Sequence, residues 1–329
     1  MKAIEKIARA IKKYGSFLIT SHVNPEGDAL GSQLAMAKLL EGLGKEFAII
    51  DHDRVPGHYQ FLPQVDLIRQ KNHPEGGSFD AALVLDCPSL TRTGRVKNTA
   101  KKTACVINID HHVSNENFGN LNWVEKNTSS TGEMVYKLYK KMNRRITKET
   151  ALYLYIAILT DTGSFNYSNT SSATHEIVSE LLGYGIEPYD VSRSIYGNKT
   201  YADIKLLAGC LSDLKLTSGG RIAYMVVRRA LFRKTGTKPY ACENFINFAR
   251  SIRGVGVAVF FREDIKRKDM FHVSFRSTRG VDVNKIASSF GGGGHKSASG
   301  CTMRGSFEEV KRKVLKRVND RLKRRHNPD

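Results

Sequence analysis

Short apolar runs alternate with helix-periodic stretches through the first half of the chain. Ser16 to His22, Phe47 to Asp51, Ala81 to Asp86 and Ala104 to Asp110 each predict a strand, because each is short, mostly apolar and ends at a polar side chain. Between the first two, Asp28 to Glu41 repeats Leu30, Leu34 and Leu39 at helical spacing with those leucines inward. Helices are expected at Thr131 to Lys141, Lys148 to Thr160 and Ala173 to Tyr184. Strands alternating with helices predict an α/β fold, a central parallel sheet wound by helices and covered on both faces.

That rhythm lapses from Gly185 to Lys205, around Pro188, and the connection between two domains is expected there. Beyond it, Arg221 to Arg229, Gly256 to Arg262 and Met270 to Arg276 predict strands, and Val283 to Phe290 a helix, of a smaller second α/β domain. At the end of the chain, Phe307, Val310, Val314, Val318 and Leu322 recur at helical spacing among Lys311, Arg312, Lys313, Lys316, Arg317, Arg321, Lys323, Arg324 and Arg325. This predicts a docked helix with a cationic face, a pattern that a solvated surface and an RNA contact satisfy equally.

Composition changes the picture in three ways. A length of 329 residues exceeds what one core usually organises and supports two domains, while 40% hydrophobic and 26% charged residues mark a globular chain. A formal charge of +20 implies attraction to polyanions, although a basic protein with no nucleic-acid role satisfies the charge as well. Five scattered cysteines, none in a CxxC pair, suggest neither a thiolate zinc site nor a disulfide framework and fit a reducing cytoplasm. The amphipathic stretch Met1 to Lys13 has neither a continuous apolar core nor a cleavage site, so no signal peptide is expected. The longest apolar stretch, Ala151 to Leu159, falls well short of the ~20 residues that would cross a bilayer.

Three predicted strands lead into metal-capable side chains: His22, Glu26 and Asp28 after the first, Asp86 at the end of the third, and Asp110, His111 and His112 at the end of the fourth. Ligands bind at the carboxyl ends of strands in open α/β sheets, so these sequence-distant groups are expected to meet. Asp161 ends a helix abruptly in Thr-Asp-Thr-Gly, which suits a presented carboxylate. Each has a plainer explanation alone: Glu26 and Asp28 as helix caps, Asp86 and Asp110 as strand terminators, His111 and His112 as turn residues. Gathered in one crevice, Glu26, Asp28, Asp86 and Asp161 require cations or protons to neutralise them. Mixed carboxylate and imidazole donors without thiolate favour two divalent ions, manganese first, with cobalt or magnesium as alternatives. Such a pair lowers the pKa of a water between the ions and stabilises an in-line displacement at phosphorus, which implies phosphoester hydrolysis without a protein nucleophile.

The strings SHVNPEGDALGS, LVLDC, NIDHH and LTDTGSF, followed by GGGGHKSASG, resemble the four motifs of DHH phosphoesterases and the glycine-rich motif of their C-terminal DHHA1 domain. The resemblance spans nearly the whole chain and is nearest to the type that degrades nanoRNA and dephosphorylates 3′-phosphoadenosine 5′-phosphate. It implies one metal ion on His22, Glu26 and Asp86, and a second on Asp28, Asp86, His111 and Asp161, with Asp86 shared. It further implies that Asp110 orients a ligating histidine, that His112 faces the substrate phosphate, and that Arg276, Gly292, Gly293, Gly294 and His295 bind substrate. Without the resemblance, the glycine run reads as a flexible turn and Arg276 as a surface charge. Two departures stand out: Glu26 replaces the family's usual aspartate, and Asn166 a frequent basic residue.

The resulting expectation is a cytoplasmic enzyme with a DHH catalytic domain over 1–187, a helical connection over 188–212 and a DHHA1 substrate-binding domain over 213–329. Its expected substrates are short RNA oligonucleotides and 3′-phosphoadenosine 5′-phosphate, with no membrane partner and a homodimer as one admitted state. The rivals are a phosphodiesterase for cyclic di-AMP or linear dinucleotides, and a decayed nucleic-acid-binding module.

Overall fold

The computed structural model describes residues 2–70, 78–242, 244–278 and 280–323, and it forms two compact units that divide between Asn198 and Lys199. Met1, Arg324 and Arg325, which entered the sequence expectations, lie outside the described residues.

The first unit opens with helix α1 (Ala3–Lys13), strand β1 (Ser16–Thr20), helix α2 (Gly27–Glu41) and strand β2 (Glu46–Ile50). Strands β3 (Ile68–Arg69) and β4 (Ala81–Leu85), helix α3 (Lys97–Lys101), and strands β5 (Cys105–Asp110) and β6 (Leu121–Val124) follow. Helices α4 (Thr131–Lys141), α5 (Lys148–Asp161), α6 (Ser172–Leu182) and α7 (Pro188–Ser192) complete it. The six strands form one parallel sheet in the order β3-β2-β1-β4-β5-β6.

Period-two alternation divides the strand side chains between two cores. Phe17, Ile19, Leu83, Leu85, Ile107 and Ile109 face the larger core with α1, α2, α4 and α5, whereas Leu18, Ala82, Val84 and Val106 face a smaller one closed by Leu90, Val96 and Ala100. Leu30, Leu34 and Leu39 are buried as their spacing implied. Helix α5 is apolar on all sides because it is enclosed; Tyr153 through Leu159 are all buried. Gly31 lets α2 approach it closely, since a Cβ there would stand 2.3 Å from the Tyr153 carbonyl oxygen.

The second unit comprises α8 (Tyr201–Ser212), β7 (Lys215–Thr217), β8 (Ile222–Val227), α9 (Arg229–Thr235), α10 (Ile246–Arg250), β9 (Val257–Glu263), β10 (Met270–Ser277), α11 (Asn284–Ser288), β11 (Gly293–Gly294), β12 (Ala298–Arg304) and α12 (Phe307–Lys323). Its sheet runs β11-β12-β10-β9-β8-β7, with β8 and β9 parallel and every other pairing antiparallel. Val257, Val259, Phe261, Val273 and Phe275 pack on α11 and α12, while Met225, Ala258 and Phe260 pack against residues of α8, α9 and α10. Of the stretch 188–212, α7 lies in the first unit, and α8 buries Leu206 and Cys210 in the second. Strands β3, β6, β7, β11 and β12 had no counterpart in the sequence pattern: β3 and β11 span two residues each, and β12 is Ala-Ser-Gly-Cys-Thr-Met-Arg, small and polar.

The five cysteines are free and buried. Among the described residues, no helix is long and apolar enough to cross a membrane.

Candidate metal centre

The strand order of the first sheet reverses direction between β1 and β4. At such a switch point the connections leave toward opposite faces and open a crevice at the carboxyl ends. His22 follows β1 by two residues and Asp86 follows β4 directly, so both sit on this crevice, and His22 Nε2 lies 3.4 Å from Asp86 Oδ2. Asp86 is buried in left-handed backbone, φ 51°, while its amide still donates to the Ile109 carbonyl of β5. An L-residue held there stores roughly 1 kcal/mol or more of local strain.

His111, just beyond β5, is 2% exposed. Its Nε2 lies 3.6 Å from Asp28 Oδ2, 3.6 Å from Asp86 Oδ1 and 3.5 Å from Asp161 Oδ2. The other ring nitrogen of each histidine faces a backbone carbonyl: His22 Nδ1 lies 2.8 Å from Val23 O and His111 Nδ1 3.4 Å from Thr128 O. A carbonyl only accepts, so Nδ1 carries a proton and Nε2 is the ring atom that faces the carboxylates.

Asp28 belongs to the first turn of α2, yet its carboxylate serves another helix. It accepts from the amides of Thr131 at 2.7 Å and Gly132 at 2.8 Å, at the start of α4, and from Ser32 Oγ at 3.0 Å. Asp161 is the last residue of α5 and accepts from Asn169 Nδ2 at 3.2 Å, whose amide group also donates to the Ser129 carbonyl at 2.7 Å. Glu26 is the N-cap residue of α2, exposed and without a capping hydrogen bond from its side chain.

Asp110 orients His112. The fully buried Asp110 carboxylate accepts from His112 Nδ1 at 2.7 Å and from Asn115 Nδ2 at 2.5 Å. Asn115 Nδ2 also lies 2.8 Å from Asn108 Oδ1. The expected support of a ligating histidine is therefore directed at the neighbour of His111.

Burial penalises each of these charges, and their neighbours decide the outcome. For Asp28, burial and the charge of Asp86 together hold the carboxyl well above its usual range. For Asp86, burial is outweighed by the facing imidazoles of His111 and His22 and by the charge of His112, leaving the carboxyl well below it. Burial of His111 is outweighed by Asp161, Asp86 and Asp28, and its imidazole is raised well above the ordinary value. His22 is raised through Asp86 against its own burial, and Asp110 is lowered by His112.

The donor set fits divalent cations. Separations of 3.4–3.6 Å around His22 and His111 exceed the usual hydrogen-bond range. Ligand atoms ~2.0–2.2 Å from a common ion would stand roughly 3.0–3.5 Å apart. Asp28, Asp86 and His111 place ligand atoms within 4.8 Å of one another, and so do Asp86, Asp110 and His112.

Residues that the sequence reading passed over supply the frame: Thr131 and Gly132 as donors, Asn169 on Asp161, Asn115 on Asp110. Only the first pair had a local signal. Ser130 precedes Glu133 by three positions, a helix-start pattern, and Ser130 Oγ does accept from the Glu133 amide.

In the second unit, Arg276 is half-buried on β10, with Nη1 donating to the Phe275 carbonyl and Nε lacking a hydrogen-bond partner among the described residues. The glycine run is a structured hairpin element: Gly291 and Gly292 donate to the Ser288 and Ala287 carbonyls, and Gly293 and Gly294 pair with Gly300 and Ser299. A Cβ on Gly292 would lie 2.1 Å from the Gly300 carbonyl oxygen, so close backbone approach requires glycine there. His295 follows, its amide donating to the Ala298 carbonyl.

Comparison with known proteins agrees with this architecture. Residues 16–158 match the DHH family, N-terminal domain, and residues 219–324 match the DHHA1 domain. The chain is 32% identical to the bifunctional oligoribonuclease and PAP phosphatase NrnA of Thermus thermophilus, over 98% of this chain and 95% of that protein. It is 27% identical to the protein of the same name from Bacillus subtilis, over 93% of this chain and 95% of the other. The crystal structure of an exopolyphosphatase-related protein from Bacteroides fragilis superposes with a TM-score of 0.86 at 28% identity, covering 98% of this chain and 96% of that one. With its metal-capable cluster at the sheet's switch point and matches running the length of both units, the chain belongs to the DHH family, in the form that carries a C-terminal DHHA1 domain.

Proposed function

We propose that the chain is a metal-dependent phosphoesterase that hydrolyses short oligoribonucleotides to mononucleotides and removes the 3′-phosphate of 3′-phosphoadenosine 5′-phosphate. The observation that carries this is the meeting of His22, Asp28, Asp86, His111 and Asp161 at one crevice, in a chain whose relatives are named for those two activities.

In this reading, His22, Glu26 and Asp86 hold one ion, and Asp28, Asp86, His111 and Asp161 a second. Two divalent cations held there, manganese by preference, would supply Lewis acidity toward the phosphate oxygens and the attacking water. Asp110 fixes the ring of His112 by accepting from Nδ1, and Nε2 is assigned to the substrate phosphate, where a proton on it would stabilise the leaving oxygen. Amides of Thr131 and Gly132 hold Asp28 in place. In the second unit, Arg276 is assigned to a substrate phosphate, supported by an Nε without a hydrogen-bond partner among the described residues, and Gly292, Gly293, Gly294 and His295 to the same end of the substrate. Five free cysteines support a reducing cytoplasm, and a homodimer is a further assignment that sedimentation decides.

The test is a panel of a labelled dinucleotide, a five-mer, cyclic di-AMP and 3′-phosphoadenosine 5′-phosphate, each with manganese and with EDTA. Turnover of the dinucleotide, the five-mer and 3′-phosphoadenosine 5′-phosphate in manganese, abolished by EDTA, is expected. Faster hydrolysis of cyclic di-AMP than of all three overturns the substrate assignment, and tight binding without turnover favours a binding module.

A further inference from the structure

The charge of the chain is divided unevenly. Residues from Lys199 onward hold 29 Lys and Arg against 11 Asp and Glu, +18 of the total +20. A two- or three-nucleotide substrate carries only a few negative charges, so this excess is more than such a ligand neutralises.

Helix α12 concentrates it. Val310, Val314, Val318 and Leu322 are buried in the core beneath the helix, and Arg312, Lys313, Lys316, Arg317 and Lys323 are exposed on its outer side. Arg312 and Lys316, Lys313 and Arg317, and Arg317 and Arg321 are like charges four residues apart, a spacing that destabilises a helix. Favourable interaction with the helix dipole covers only the last turn, where Arg321 and Lys323 lie, and leaves the mid-helix cations unexplained. Among the described residues, Arg312, Lys313, Lys316 and Arg317 form no ion pair; Glu309, whose charge reaches Lys313 and Arg312, gives its carboxylate to Ser306 N and Oγ.

We propose that the outer face of α12 is a docking surface for the sugar–phosphate backbone of RNA strands longer than those the enzyme hydrolyses. From Arg312 to Lys323 the helix rises roughly 17 Å. Its six cations over that length, Arg321 included, approach the linear charge density of one nucleic-acid strand, about one charge per 3.4 Å. A lipid surface fits less well, because the apolar side that an interfacial helix would insert is already buried beneath α12. The surface is independent of hydrolysis, so binding measured without metal tests it whatever the catalytic assignment proves to be.

The experiment uses the full chain in EDTA and an unstructured RNA of about 30 nucleotides, with affinity followed by fluorescence anisotropy between about 50 and 300 mM salt. The fourfold variant Arg312→Gln, Lys313→Gln, Lys316→Gln, Arg317→Gln is expected to bind at least about tenfold more weakly at low salt. Its log–log salt slope should be smaller by about 3, from roughly 0.7 per lost phosphate contact. Dinucleotide hydrolysis in manganese should stay within about twofold. Should that variant fail to fold, the pairs Arg312→Gln with Lys313→Gln and Lys316→Gln with Arg317→Gln each read half the slope change. Unchanged affinity and slope overturn the proposal. So does equal loss of dinucleotide hydrolysis, or tighter retention on vesicles containing one-fifth phosphatidylserine than on RNA.

Discussion

Asp28 and Thr131 stand 103 positions apart in the chain, and a 2.7 Å hydrogen bond from the Thr131 amide to Asp28 Oδ2 joins them. The Gly132 amide adds a second bond at 2.8 Å, so two orphan donors at the start of α4 are satisfied by a carboxylate from α2. The positive end of the α4 dipole favours the charged form of Asp28, where burial and Asp86 oppose it. A Cβ at Gly132 would stand 2.4 Å from Ala157 Cβ. Gly132→Ala should therefore force α4 away from Asp28, with a stability loss of about 1–3 kcal/mol from overpacking. Hydrolysis should fall at least about tenfold in the same variant. Denaturant melts and a dinucleotide assay check both, and a folded variant with full activity removes α4 from the account.

Asp86 couples strain to chemistry. Asp86→Ala and Asp86→Gly should both abolish turnover and lower metal occupancy, since His22 and His111 each face this carboxylate. Glycine tolerates the left-handed backbone, so the Gly variant should be the more stable by about 1 kcal/mol. Metal analysis, turnover and urea melts read the three quantities, and wild-type rates in Asp86→Ala end the shared-ligand assignment.

Asp110→Asn separates His112 from His111. Because Asp110 accepts from His112, the variant should lose about 10–100-fold in kcat with KM and metal content little changed. Metal loss as large as that of Asp86→Ala would show that Asp110 supports a ligand instead.

Asp51 offers a pH test outside the metal-capable cluster. Its Oδ1 accepts from Thr20 Oγ1, the Ser21 amide and Gln33 Nε2, while Oδ2 is buried without a hydrogen-bond partner among the described residues. Burial raises the carboxyl from 3.8 to about 6, against hydrogen bonds that favour the charged form. A raised carboxyl stabilises the fold fully below the unfolded value of 3.8, and that contribution is lost as pH rises through about 6. The loss is of order 3 kcal/mol. Asp51→Asn should thus gain on the wild type between about pH 4 and pH 7 in urea melts with EDTA. A difference that stays constant across that window contradicts the assignment.

Much of the fold was legible because apolar periodicity is a local property. Every strand expected in the first unit lies within two residues of its observed bounds, and α4 spans Thr131–Lys141 as expected. Strands β3 and β12 carry no such signal, because one is two residues long and the other is small and polar, held by pairing rather than by its own pattern.

The chain's own residues determined which side chains stand at strand ends, because a run of apolar residues ends where its polar terminator begins, and they also showed the cationic helix. Tertiary structure alone decided which ends meet. Only the order β3-β2-β1-β4-β5-β6 places β1 beside β4 and brings His22 to Asp86. It likewise turned Asp28 from an apparent cap of its own helix into the partner of α4, and the glycine run from an apparent flexible turn into a paired strand whose Gly292 backbone approaches Gly300 closely. The physical reason is shared: strand neighbours and helix approaches depend on long-range packing and chain crossovers, which no local spacing of residues encodes.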